Sequence, residues 1–150
     1  MVDMKSALAY SCNCYFAALA DEIGAGKLAK TMRQVGMDAD SRFELETSRN
    51  SIYLAKGATE SELVETAIGQ GRTGVTPLYM AMLASAFAND GMMMKPYIVD
   101  HVVYPDGTET KNTVPEKLTE ICTAEEAAAI KDMMIGVVSG GTGTAAAING

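Results

Sequence analysis

The sequence has 150 residues, 48% hydrophobic and 21% charged, enough for one ordinary core and too short for two comfortable domains. Its formal charge is −7, from 12 Lys and Arg against 19 Asp and Glu, and its six Tyr and three Phe are not interleaved with basic residues, which excludes nucleic acid as a partner. The longest uncharged stretches, Thr73 to Asn89 and Met133 to Gly150, fall short of the roughly 20 apolar residues of a membrane span, so any secretory address or anchor is expected outside these residues.

In chain order, Met4 to Ile23 reads as helix with a break near Ser11 to Asn13. Ser11 and Asn13 stand two apart in an otherwise apolar run, and helical side chains at that spacing point about 200° apart. They converge on one ligand only across a broken helix; otherwise either is a plain N-cap for a helix over Cys14 to Ile23. Gly24 to Gly26 is the stop. Lys27 to Val35 is a second amphipathic helix, with Leu28, Met32 and Val35 on one face and Gly36 ending it. Asp38 to Thr59 is aperiodic and reads as loop with short turns. Glu60 to Ile68 is a short acidic helix with Leu63, Val64 and Ala67 inward, interrupted by Gly69, Gln70 and Gly71, where glycine lets the backbone turn closely.

The strongest helix signal is "TPLYMAMLASAFANDG", with Thr76 as N-cap, Pro77 at the first helical position and Asn89 to Gly91 as the stop. Met92 to Met94 reads as adaptable core filler. From Pro96 the period changes. "YIVDHVVY", Tyr97 to Tyr104, and "TETKNTV", Thr108 to Val114, form a hairpin around the turn chemistry of Pro105 to Gly107. Thr123 to Val138 is the last helix, opened by a capping box of Thr123 and Glu126. The tail "SGGTGTAAAING", Ser139 to Gly150, has no means of forming a core alone. The fold class is therefore mainly α with one small β-hairpin.

Cys12, Cys14 and Cys122 are an odd, sparse set and read as small buried hydrophobes. With His101 the single histidine, no ligand set exists for a metal. Neither metal nor cofactor is expected.

A Ser-x-Asn triplet alone says little, since the chain holds two, Ser11-Cys12-Asn13 and Ser48-Arg49-Asn50. Neighbours decide between them. The order "ALAYSCNCYFAALADEIG", then "AIGQGRTGVTPLYMAMLASAFANDGMMMKPYIV", then "VVSGGTGTAAAING" resembles the transpeptidase domain of class B penicillin-binding proteins over nearly the whole chain. The stretch from Gly69 to Pro96 is its most specific part. The resemblance implies the helical subdomain of the penicillin-binding-protein and serine β-lactamase-like fold, with 1–150 as a single partial transpeptidase domain. It also implies that Ser11 is catalytic, relaying a proton to the leaving nitrogen, and that Asn13 binds an amide of the substrate's peptide stem. Gly69, Gln70, Gly71, Thr76 and Pro77 are then structural motif residues, and Cys12 has no chemistry.

Two other motifs of that family are missing: no serine is followed three residues on by lysine, and there is no Lys-Thr-Gly. The sequence thus reads as a piece running from before the second motif to before the third, inactive by itself. The resemblance implies that the full-length parent is a D,D-transpeptidase on the outer face of the bacterial cell membrane, anchored by a segment outside this chain. Its implied partners are peptidoglycan stem peptides and β-lactams. The alternatives are a serine β-lactamase or β-lactam sensor, which share the three motifs, and a non-catalytic helical interaction module.

Overall fold

The computed structural model describes residues 2–54 and 57–148, with Lys111 described by its backbone alone. Ala55 and Lys56 of the expected loop, and Asn149 and Gly150 of the tail, lie outside the described residues. Among the described residues the elements are α1 (Met4–Ala9), α2 (Asn13–Ile23), α3 (Ala25–Gln34), α4 (Glu60–Ala67), α5 (Pro77–Ala88), β1 (Met92–Met94), β2 (His101–Val103), β3 (Glu109–Asn112), β4 (Lys117–Glu120) and α6 (Ala124–Gly140). A 3₁₀ turn at Thr144–Ala146 follows.

Side-chain chemistry sets most helix ends. The Asp3 carboxylate accepts from the Ser6 N–H at 2.7 Å and opens α1. Thr59 and Glu62 close a capping box on α4, and Thr123 and Glu126 close one on α6. Thr76 Oγ1 accepts from the Tyr79 N–H at 3.1 Å and Pro77 takes the first position of α5, as the sequence predicts. Gly24, at φ 79°, ends α2, but α3 begins at once with Ala25, so Gly26 lies inside α3 and is not part of the stop. Helix α6 runs two residues past Val138, to Gly140.

The apolar faces close two small cores. Ala20, Ala29, Leu54 and Leu63 join α2, α3 and α4; Tyr79, Met82, Ala86 and Met93 join α5 to β1, with Leu118 and Ile121 packed on them. Elsewhere α1 rests on the later part of α6, with Ala7 fully buried and Gly136 facing Lys5; Ala127, at the start of α6, is also fully buried. Leu54 comes from the stretch read as loop; beside it an isolated bridge of Ser51 with Gly74 holds two backbone hydrogen bonds, of 2.8 and 3.0 Å.

The β-structure differs from expectation. There are two antiparallel ribbons: β2 with β3, the expected hairpin, and β1 with β4. Met92–Met94 is therefore a strand, although Met93, 2% exposed, does fill the core as read. The first hairpin strand is shorter than Tyr97 to Tyr104, because the Ile98 and Val99 N–H groups donate to the Glu44 carboxylate at 3.0 and 3.1 Å. Their partner is a side chain from the long loop, where a ladder was expected. Arg42 and Lys95 both pair with Glu116, at 2.8 and 3.6 Å, tying the same loop to the approach of β4.

Candidate active site

The break between α1 and α2 is sharp. Ser11 has φ 53°, in the left-handed region that non-glycine residues rarely adopt and that costs about 1–2 kcal/mol, a cost the surroundings must offset. The surroundings do so: the Cys12 N–H donates to the Ala7 carbonyl at 2.8 Å and the Ser11 N–H to that of Leu8 at 3.2 Å, closing α1 beneath the turn.

Neither serine nor asparagine is a cap. Cys12 holds the N-cap position of α2 and makes no side-chain capping bond, while Asn13 is already the first helical residue. That corrects the N-cap alternative. Ser11 and Asn13 are both exposed and Cys12 between them is half-buried, so the pair faces outward and the thiol is set back. The cysteines are not the buried hydrophobes expected: Cys14 is exposed and Cys12 and Cys122 are partly so. Burial, then the charges of Glu126 and Glu120, push the Cys122 thiol up, which keeps it protonated and a poor nucleophile at neutral pH.

The tail returns to this break. The Thr142 N–H donates to the Ala9 carbonyl at 2.9 Å, and the Thr142 and Ser11 hydroxyls lie 3.2 Å apart, joined across 131 residues of sequence. Gly141 makes the approach possible, since a Cβ there would collide with the Ala9 carbonyl oxygen. Residues 141–143 of the tail are thus docked on α1 and the end of α6.

The second triplet is used differently. Asn50 Nδ2 donates to the Met37 carbonyl at 2.8 Å and Asn50 Oδ1 accepts from the Thr76 N–H at 2.7 Å. Both ends of its amide are engaged in joining the segment after α3 to the start of α5, a structural tie. Asn50→Ala should lower stability by about 1–3 kcal/mol, the cost of two backbone groups losing a partner, whereas Ser48→Ala, at an exposed residue, should stay within about 0.5 kcal/mol. Thermal melts of the two variants check this.

Gly69 and Gly71 have φ 77° and 80°, and a Cβ on Gly71 would press on the Glu65 side chain at 3.1 Å. With the Gln70 N–H on the Glu65 carbonyl at 2.7 Å, this segment closes α4 as a turn. A cavity of about 790 Å³ opens between the 36–50 loop, α5 and the β1–β4 ribbon, over Tyr79, Met82, Met93 and Leu118; neither Ser11 nor Asn13 lines it. Tyr79 donates its hydroxyl to the Val35 carbonyl at 3.1 Å, and burial, with the Asp38 charge behind it, pushes its pKa up to about 12.

The family described as penicillin binding protein transpeptidase domain matches residues 1–150. A peptidoglycan D,D-transpeptidase, PbpA of Mycolicibacterium smegmatis, is 33% identical over 141 residues, covering 89% of this chain and 27% of that protein. Among solved structures, the D,D-transpeptidase domain of a peptidoglycan glycosyltransferase from Eggerthella lenta superposes with TM-score 0.83 at 31% identity, over 99% of this chain and 39% of that one. Penicillin-binding protein A of Mycobacterium tuberculosis, in its penicillin G acyl-enzyme complex, gives 0.81 at 28% identity over 91% of this chain and 31% of that one. The chain spans about a quarter of the length of the curated relatives it matches.

Proposed function

Because the chain belongs to the class B penicillin-binding-protein transpeptidase family, we propose that Ser11 and Asn13 are the middle one of three catalytic motifs in a serine D,D-transpeptidase. The observation that carries this reading is the break itself: an exposed Ser11 whose hydroxyl caps no helix, two residues before an equally exposed Asn13. The φ of 53° closes α1 as a Schellman turn, so it is the exposure of both side chains just past that turn, and not the backbone angle, that supports a site.

The reaction is acyl transfer at the D-alanyl-D-alanine end of a peptidoglycan stem peptide. A serine nucleophile attacks the carbonyl, an acyl-serine forms as the terminal amine leaves, and a second stem's amine takes the acyl group. The leaving nitrogen needs a proton as the C–N bond breaks. A hydroxyl can accept a proton and donate another in one step, which suits Ser11 to that relay. Asn13, carrying both a carbonyl and an NH₂, can hold a backbone amide of the stem from both sides and so fix its direction. β-Lactams enter by the same route, acylating the nucleophile.

The nucleophile itself is not in these 150 residues, since no serine has a lysine three residues on. The longer protein of which the chain is part supplies the Ser-x-x-Lys and Lys-Thr-Gly segments, works on the outer face of the cell membrane, and is anchored by residues elsewhere. Among the described residues no helix is long and apolar enough to cross a membrane. A fluorescent penicillin should label the full-length protein stoichiometrically and leave the 150-residue chain unlabelled in denaturing gels and by mass spectrometry. An acyl adduct on any serine of the short chain, or none on the full-length protein, overturns the reading.

A further inference from the structure

Resting on the assignment of Ser11 to proton relay, we infer that Thr142 is a positioning residue for that step, orienting the Ser11 hydroxyl through the bond between their side-chain oxygens. The two oxygens are 3.2 Å apart. A relay serine must aim its own proton at the leaving nitrogen, and a free hydroxyl rotor spends most of its time aimed elsewhere. If the Thr142 hydroxyl donates to Ser11 Oγ, one Ser11 lone pair is occupied and the Ser11 proton is left to point away, toward the open side.

Thr142 is well fixed for this. Its N–H is held by the Ala9 carbonyl at 2.9 Å, and the N–H groups on either side, of Gly141 and Gly143, both donate to the Val137 carbonyl at the end of α6, at 3.1 and 3.0 Å. Gly141 lies so close to the Ala9 carbonyl that no side chain fits, whereas a Cβ on Gly143 would meet the Val137 side chain at 3.0 Å, tight but able to yield. Threonine's branched Cβ further limits its rotamers, so little freedom remains at Oγ1. The glycine-rich segment around Thr142 is a clamp whose polar tip touches the proposed relay.

A double-mutant cycle in the full-length protein tests this, reading the second-order rate of acylation by a fluorescent penicillin. Thr142→Val should slow acylation about tenfold, the weight of one neutral hydrogen bond, and Thr142→Ser, which keeps the hydroxyl, should stay within about twofold of the original. In a Ser11→Ala background Thr142→Val should add nothing, because the group it orients is gone. Equal slowing by Thr142→Val in both backgrounds marks a structural role and overturns the inference. So does an unchanged rate for Thr142→Val while Ser11→Ala is slow, which leaves the function of Ser11 standing. Normal acylation by Ser11→Ala overturns the relay assignment and this inference together. Should thermal melts show that valine loosens the clamp, Thr142→Ala, which keeps the backbone bond to Ala9, replaces it in the same cycle.

Discussion

Ser11→Ala in the full-length protein should lower acylation by a β-lactam at least about 100-fold, the scale of losing a positioned proton-transfer group, while Ser48→Ala leaves it unchanged. The comparison is sharp because both serines head a Ser-x-Asn triplet and both are exposed. Their asparagines separate them. Asn50 spends its amide on Met37 and Thr76, whereas Asn13 stands in the open at the first position of α2. Both alanine variants keep a Cβ, so the left-handed backbone at Ser11 is no more strained than before. Melting curves for both should lie close to the original, as Ser48→Ala costs at most about 0.5 kcal/mol and Ser11→Ala, which also loses the bond to Thr142, about 1 kcal/mol. Rapid acylation by a folded Ser11→Ala protein removes Ser11 from the chemistry, and damage by Ser48→Ala alone points to the wrong triplet.

Much of the helical frame was legible because its signals are local. Thr76 with Pro77, and Thr123 with Glu126, announce helix starts within four residues, and the structure uses each as written. The break at Ser11 could likewise be read from the spacing of two polar residues in an apolar run. What escaped was bonded from far away. Strand β1 pairs with β4, roughly 25 residues on, and three methionines carry no strand preference of their own. Leu54 is 2% exposed, yet its neighbours are aperiodic, so only the fold reveals it as core. The asparagine of the second triplet gave no hint of its two backbone partners. Nor did anything near Thr142 point to a serine 131 residues away: the glycine run was read only as unable to build a core, whereas Gly141 is where backbone comes close.

Gly91→Ala should be strongly destabilising, and two other glycines show why. Gly91 has φ 82°, and a Cβ there would fall on the Cys122 carbonyl, on the backbone one residue before Thr123 caps α6. Its own carbonyl accepts the Ile121 N–H at 2.8 Å, so Gly91 joins α5, β4 and α6 at one point and cannot shift without moving all three. The left-handed backbone costs alanine about 1–2 kcal/mol, and forcing a carbonyl aside about 1–3 more, giving on the order of 3 kcal/mol in all. For a chain of this length that lowers the melting temperature by about 10 °C. Gly107, at φ 84°, has nothing within 4 Å of its missing Cβ, so Gly107→Ala isolates the backbone cost and should lose only about 1–2 kcal/mol. Gly26 sits inside α3 with open space around it, and Gly26→Ala should gain about 0.5 kcal/mol by restricting the unfolded chain and favouring the helix. The three melts should therefore fall in the order Gly26→Ala, Gly107→Ala, Gly91→Ala, from highest to lowest. If Gly91→Ala melts together with Gly107→Ala, the contact with Cys122 is not tight, and the close seating of the β1–β4 ribbon against the start of α6 is wrong.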